Sequence, residues 1–169
     1  MSGRATPTNY YHFVSHWRMK GDIARVYELL TNPLGYSRWW KNSNLRVEQL
    51  EAGNAEGVNQ VVRCQMDVKG WLSYTIKWQL RCAEANKPYH FASEATGDFV
   101  GRGVWSFKQN GPWVDITFDW NVSAEKLFFR YFSFLLKPFF VAKHDQIMKK
   151  WEESLREELM RRNRIKVLD

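Results

Sequence analysis

The chain has 169 residues and a formal net charge of +7 at neutral pH, with 44% of residues hydrophobic and 25% charged. That length suits one domain with a sizeable core, and that balance excludes a disordered or low-complexity chain. The longest apolar stretch, Leu127 to Ala142, carries Arg130, Lys137 and Pro138, and is too short and too charged to span a membrane.

Nine Trp, eleven Phe and seven Tyr are spread along the chain, as in the lining of a core or cavity. The basic balance fits a solvated surface, or attraction to anionic ligands, membranes or nucleic acid. Residues 1–9 read as a disordered polar tail, and MSGRATPTNYY holds no apolar run of the kind a secretory signal needs. A cytoplasmic location is the expectation. From Tyr10 to Met19 the residues alternate, with Tyr11, Phe13, Ser15, Trp17 and Met19 on one face, which predicts a strand. Asp22 is placed to cap a helix through Leu30, and Asn32-Pro33 to start a second, short helix carrying Tyr36, Trp39 and Trp40.

Six further strands are predicted near Leu45–Glu51, Asn59–Val68, Leu72–Ala85, His90–Thr96, Gly103–Gln109 and Val114–Val122. The alternation is clear: Leu72, Tyr74, Ile76, Trp78 and Leu80 share a face, while Ser73, Thr75, Lys77, Gln79 and Arg81 face away. One apolar and one polar face imply an antiparallel sheet wet on one side. A hairpin turning near Gly70 would set Cys64 opposite about Thr75, too far from Cys82 for a disulfide, so two free thiols in a reducing compartment are expected.

The last third, Glu125–Asn163, reads as one long helix, capped by Ser123 and kinked near Pro138. His144, Ile147, Met148, Trp151, Leu155 and Leu159 recur at helical spacing as one apolar face. Lys149–Glu153, Glu152–Arg156, Glu157–Arg161 and Glu158–Arg162 are four-residue charge pairs. The first half is apolar nearly all round, and must be covered nearly all round. The fold class expected is therefore α+β: a seven-stranded curved antiparallel sheet wrapped around a long C-terminal helix, with two short helices between the first and second strands. Residues 10–163 form the single domain of this reading, and 164–169 a basic tail.

With this element order, the stretches DIARVYELLTNPLGYSRWW, GDFVGRGVWSF and LLKPFFVAKHDQIMKKWEESL resemble the START-like, or helix-grip, superfamily in its polyketide cyclase/dehydrase and lipid-transport branch. The resemblance covers roughly residues 10–160. It implies a cavity between sheet and long helix, and with it a carrier of lipids, quinones, hormones or polyketides, or less often an enzyme; it leaves the contents of the cavity open.

The candidate ligand-binding residues are Trp39, Trp40, Trp78, Phe91, Trp105, Trp120, Phe128, Phe132 and His144. The aromatics either line a cavity for a flat or greasy ligand or fill it as core. A lining predicts a space of about 300 Å³ or more, and a Trp105→Ala change felt more in affinity than in stability; rings that fill the gap leave no such space, and that outcome counts against ligand binding. His144, on the apolar stripe, is the candidate acid/base, its alternative being a buried histidine satisfied by a carbonyl or water. His12 and His16 lie about 13 Å apart on a strand at roughly 3.3 Å per residue, and no metal-ligand or cofactor motif is present. The Gly97–Gly103 stretch joins two strands and is not a dinucleotide fingerprint. Glu94, Arg63 and Asp115 enter a pocket only if the register differs from this reading. Nucleic acid is not an expected partner, and the basic tail at Arg161, Arg162, Arg164 and Lys166 is either a solvated end or a contact for an anionic membrane surface. The leading function is binding of a hydrophobic small molecule, as carrier or sensor; the second is a cyclase/dehydratase using His144; the third is an interaction module acting through the tail.

Overall fold

The structure, a computed structural model, describes residues 9–40, 44–69, 73–125 and 127–165, the last with backbone only at 127–137, 139–140 and 164–165. Strand β1 (Tyr10–Lys20) is followed by helices α1 (Ile23–Thr31) and α2 (Tyr36–Trp39), joined through a 3-10 turn at Pro33–Gly35. Then come β2 (Leu45–Glu51), β3 (Val61–Val68), β4 (Tyr74–Asn86), β5 (His90–Gly97), β6 (Phe99–Asn110) and β7 (Trp113–Ala124), and finally the long helix α3 (Leu127–Ile165). This is the architecture expected from the sequence.

Asp22 caps α1 as predicted, its carboxylate accepting from the Ala24 and Arg25 amides at 3.0 and 3.3 Å. Asn32 makes no such side-chain bond; the second start rests on Pro33, whose fixed φ suits a first helical position. All neighbouring strands are antiparallel, in the order β1-β7-β6-β5-β4-β3-β2. A bulge between Cys82 and Glu84 in the β4–β5 pair adds local bend and twist to the sheet.

Three local expectations are corrected. Cys64 stands opposite Trp78, not Thr75, because the β3–β4 connection takes up more residues than a two-residue turn at Gly70. Ser123 does not cap α3: it belongs to β7, paired with Tyr10, because β1–β7 pairing runs to the end of that strand. Asn9, read as part of the disordered tail, is buried and donates through its side-chain amide to the Ala124 carbonyl at 3.2 Å.

Helix α3 runs unbroken through Pro138. Its predicted stripe is its buried face: Met148, Trp151, Leu155 and Leu159 all sit in the core, with Trp17, Met19, Val26 and Leu30 opposite. Of the charge pairs, Glu152–Arg156 and Glu158–Arg162 form, at 2.9 and 2.8 Å. Arg161 turns instead to Glu158 at 2.7 Å, so one largely buried carboxylate serves two arginines. A smaller cluster of Tyr11, Val122 and Ala124, joined by Phe13, Tyr74, Phe99 and Trp120, occupies the other end of the sheet.

Candidate functional site: an aromatic cavity under the long helix

Between these two clusters lies a cavity of about 220 Å³. Strand alternation builds its sheet wall, since every second residue of β4 (Tyr74, Ile76, Trp78, Leu80, Cys82) points inward. Lys143, His144, Ile147, Met148 and Trp151 close it from the middle of α3. Gly103 in β6 is needed here: a Cβ would come 2.9 Å from Phe118 Cε2 and 3.5 Å from Trp120 Cδ1. Any larger residue would push those rings into the open space.

The cavity is smaller than the predicted 300 Å³ or more, because the aromatics both line and fill it. Trp105 is 3% exposed, stacked on Phe118 at 4.0 Å and edge-on to Trp151 at 5.4 Å. It is core as much as lining, so truncating it costs stability as well as shape. Trp40, Trp78, Phe91 and Trp120 lie on the wall. Trp39 does not: it sits behind the wall, 4% exposed, against Tyr36 and Trp151. The side chains of Phe128 and Phe132 lie outside the described residues. Wall residues that the sequence reading did not single out include Tyr11 and Phe13, although the β1 alternation had already put them on the inward face. Trp151 is another, and it stood on the helix stripe.

His144 is held in a ring stack. Phe13 lies 3.8 Å away at 13° and Trp120 lies 5.6 Å away at 28°. Its side chain is 10% exposed, with Nδ1 3.5 Å from the Asp145 carboxylate. Burial holds the imidazole below its ordinary pKa, and Asp145 offsets this only partly, so the ring is neutral at pH 7. With Nδ1–H turned to the carboxylate, Nε2 carries the lone pair; it is buried and, among the described residues, without a partner. The indole N–H groups of Trp39 and Trp151 are likewise buried and, among the described residues, unpaired. Unpaired polar groups in an apolar site cost free energy that a hydrogen-bonding ligand can recover.

The charged candidates Arg63, Asp115 and Glu94 face outward. Arg63 pairs with Glu48 at 2.9 Å, Arg18 with Asp115 at 2.6 Å, and Arg81 with Glu94 at 2.5 Å, all on the solvated face of the sheet. His12 and His16 bond Asp119 and Thr117 there, and His90 bonds Glu84. Among the described residues no three His, Cys, Asp or Glu side chains come together as a metal site. Cys64 and Cys82 are free and buried, and burial pushes the Cys64 thiol up to about 12. Among the described residues no helix is long and apolar enough to cross a membrane.

No protein-family model matches the chain, and no curated protein matches it in sequence. Solved structures do match its fold. The Zhui aromatase/cyclase from a Streptomyces species is 18% identical with a TM-score of 0.68, over 90% of this chain and 95% of that one. BexL, a di-domain ARO/CYC, is 10% identical with a TM-score of 0.64, over 90% of this chain and 51% of that one. A protein from Thermus thermophilus is 15% identical with a TM-score of 0.63, over 86% of this chain and 97% of that one. At these identities the likeness is one of fold. The chain has the helix-grip α+β fold that these aromatase/cyclases share.

Proposed function

We propose that this protein binds a compact, flat, hydrophobic small molecule in the cavity between the sheet and α3, as a carrier or sensor. The observation that carries this reading is the 220 Å³ apolar space walled by aromatic rings, with the unpaired Nε2 of His144 at its side. An engineered apolar cavity of about 150 Å³ holds benzene, so this one suits a ligand of about two fused rings. A long acyl chain would not fit without displacing Trp105 or Trp151. A hydroxyl on the rings would donate to His144 Nε2.

The test is binding of 1-naphthol, followed by quenching of tryptophan fluorescence, together with native mass spectrometry of the purified protein. Saturable quenching with Kd near 10 µM is expected, about 0.6 kcal/mol per heavy atom and within the usual range for a small ligand. No retained mass and no saturable quenching up to about 1 mM would remove the reading.

A second reading, a cyclase/dehydratase-type reaction in the same cavity, is favoured by one observation: His144 is neutral, with an unpaired ring nitrogen able to take a proton. Two of the structural neighbours are aromatase/cyclases. Turnover of a polyketide-like substrate that survives His144→Ala unchanged would take His144 out of that role.

A further inference from the structure

A second space, of about 570 Å³, lies outside the first. It is walled by Tyr27, Glu28 and Thr31 of α1, Glu56 of the β2–β3 loop and Lys87 of the β4–β5 turn. Two residues, Gln60 and Phe91, line both spaces and so stand between them. The two differ in chemistry: the inner is apolar, the outer is rimmed by charge.

The backbone of Gln60 is fixed on both sides. Its carbonyl accepts from the Cys82 amide at 3.0 Å, and its amide donates to the Gly57 carbonyl at 3.1 Å. Its side-chain amide, by contrast, makes no hydrogen bond among the described residues. Of the other neutral polar groups of the outer wall, the Tyr27 hydroxyl donates to the His90 carbonyl at 3.3 Å and the Thr31 hydroxyl to the Tyr27 carbonyl at 2.8 Å, while the Asn32 amide, which lines the outer space only, also makes no side-chain hydrogen bond among the described residues. The charged groups of the rim are not used, for Glu28, Glu56 and Lys87 form no ion pair among the described residues. A residue whose amide can both donate and accept therefore stands between the two spaces, with two carboxylates and one ammonium around the outer one.

We propose that the ligand is bipartite: its rings occupy the inner cavity, and a short polar arm passes between Gln60 and Phe91 into the outer groove. This rests on the reading of the inner cavity given above. The Gln60 amide bonds the first polar atom of the arm. The two carboxylates against one ammonium favour an arm bearing hydroxyl and protonated amine groups over one bearing a carboxylate, an effect that salt weakens because the rim is exposed.

Three probes share one 1-naphthyl ether and differ in the arm: 1-methoxynaphthalene, (1-naphthyloxy)acetic acid, and propranolol, whose arm carries a hydroxyl and a secondary amine. Propranolol should bind about tenfold more tightly than 1-methoxynaphthalene, and the acid no more tightly than 1-methoxynaphthalene. In a Glu28→Gln/Glu56→Gln variant the propranolol advantage should fall to about threefold or less, and in Gln60→Leu it should fall as well. Binding of 1-methoxynaphthalene by the double variant controls for folding and should not move. If 1-methoxynaphthalene binds but propranolol binds no better, or if the advantage survives both variants, the bipartite ligand is overturned and the inner cavity stands. If none of these probes binds, nor 1-naphthol, the reading of the inner cavity fails, and this inference with it.

Discussion

Trp151 is where the helix stripe, the core and the cavity wall meet, so its truncation tests all three. The side chain is 9% exposed and touches five rings, with centroids 5.0 Å from Trp40, 5.4 Å from Tyr36 and Trp105, 5.7 Å from Trp17 and 6.4 Å from Trp39. A buried tryptophan removes about 150–250 Å² from water, at about 25 cal/mol per Å², or roughly 4–6 kcal/mol. Alanine keeps about 1 kcal/mol of that, which agrees with about 3–5 kcal/mol for large-to-alanine core changes. Against this, the unpaired Nε1–H disappears with the indole, returning about 1 kcal/mol. The burial loss wins, and Trp151→Ala should cost about 3 kcal/mol. Trp151→Phe keeps most of the ring contacts and also removes the unpaired N–H, so the two effects nearly cancel and the change should stay within about 1 kcal/mol. Urea unfolding followed by far-UV circular dichroism reads both, through a lower midpoint at an unchanged slope. A loss below about 1 kcal/mol for Trp151→Ala would mean that this face of α3 is not packed on the sheet, and the placement of the cavity would fall with it.

Two further outcomes follow from the same site. His144 has a folded pKa below its unfolded value, so the unfolded chain binds more protons near pH 6 and stability rises with pH. That contribution is complete above about 6.5, the unfolded pKa, and is lost as the pH falls from there towards the folded value; wild type should therefore lose more stability than His144→Asn between pH 7.5 and 5.5, and parallel curves would show that His144 is not buried as described. Gly103→Ala places a methyl 2.9 Å from Phe118 Cε2, a ring that Trp105 holds from the other side at 4.0 Å. It should cost about 1–3 kcal/mol and weaken 1-naphthol binding severalfold, measured by urea unfolding and fluorescence titration; unchanged values of both would show that the rings there move freely.

Much of this was legible in the sequence because it is set by short-range patterns. Alternation in β4 named its inward face, Asp22 announced α1, and the spacing from Met148 to Leu159 gave the buried stripe of α3. These depend on a period of two or of about 3.6 residues, which local geometry imposes wherever one face is buried. The candidate site was legible only as a set of aromatics on inward faces. Trp39 and Trp40 are adjacent and chemically identical, yet only Trp40 reaches the cavity, because the end of α2 turns one of them in behind Trp151. The Cys64–Trp78 register depended on the length of the β3–β4 connection, and Ser123 was drawn into β7 by a partner more than a hundred residues away, Tyr10. Nor could composition say whether the rings fill the gap or line it. That depends on how Phe118 lies on Trp105, on the absence of a side chain at Gly103, and on how closely α3 approaches the curled sheet. The sequence by itself determined the elements and their inward faces, since each is a property of neighbouring residues. The volume of the cavity, the isolation of His144 Nε2 and the meeting of two spaces at Gln60 and Phe91 came only with tertiary structure, since each is a property of side chains that meet from distant parts of the chain.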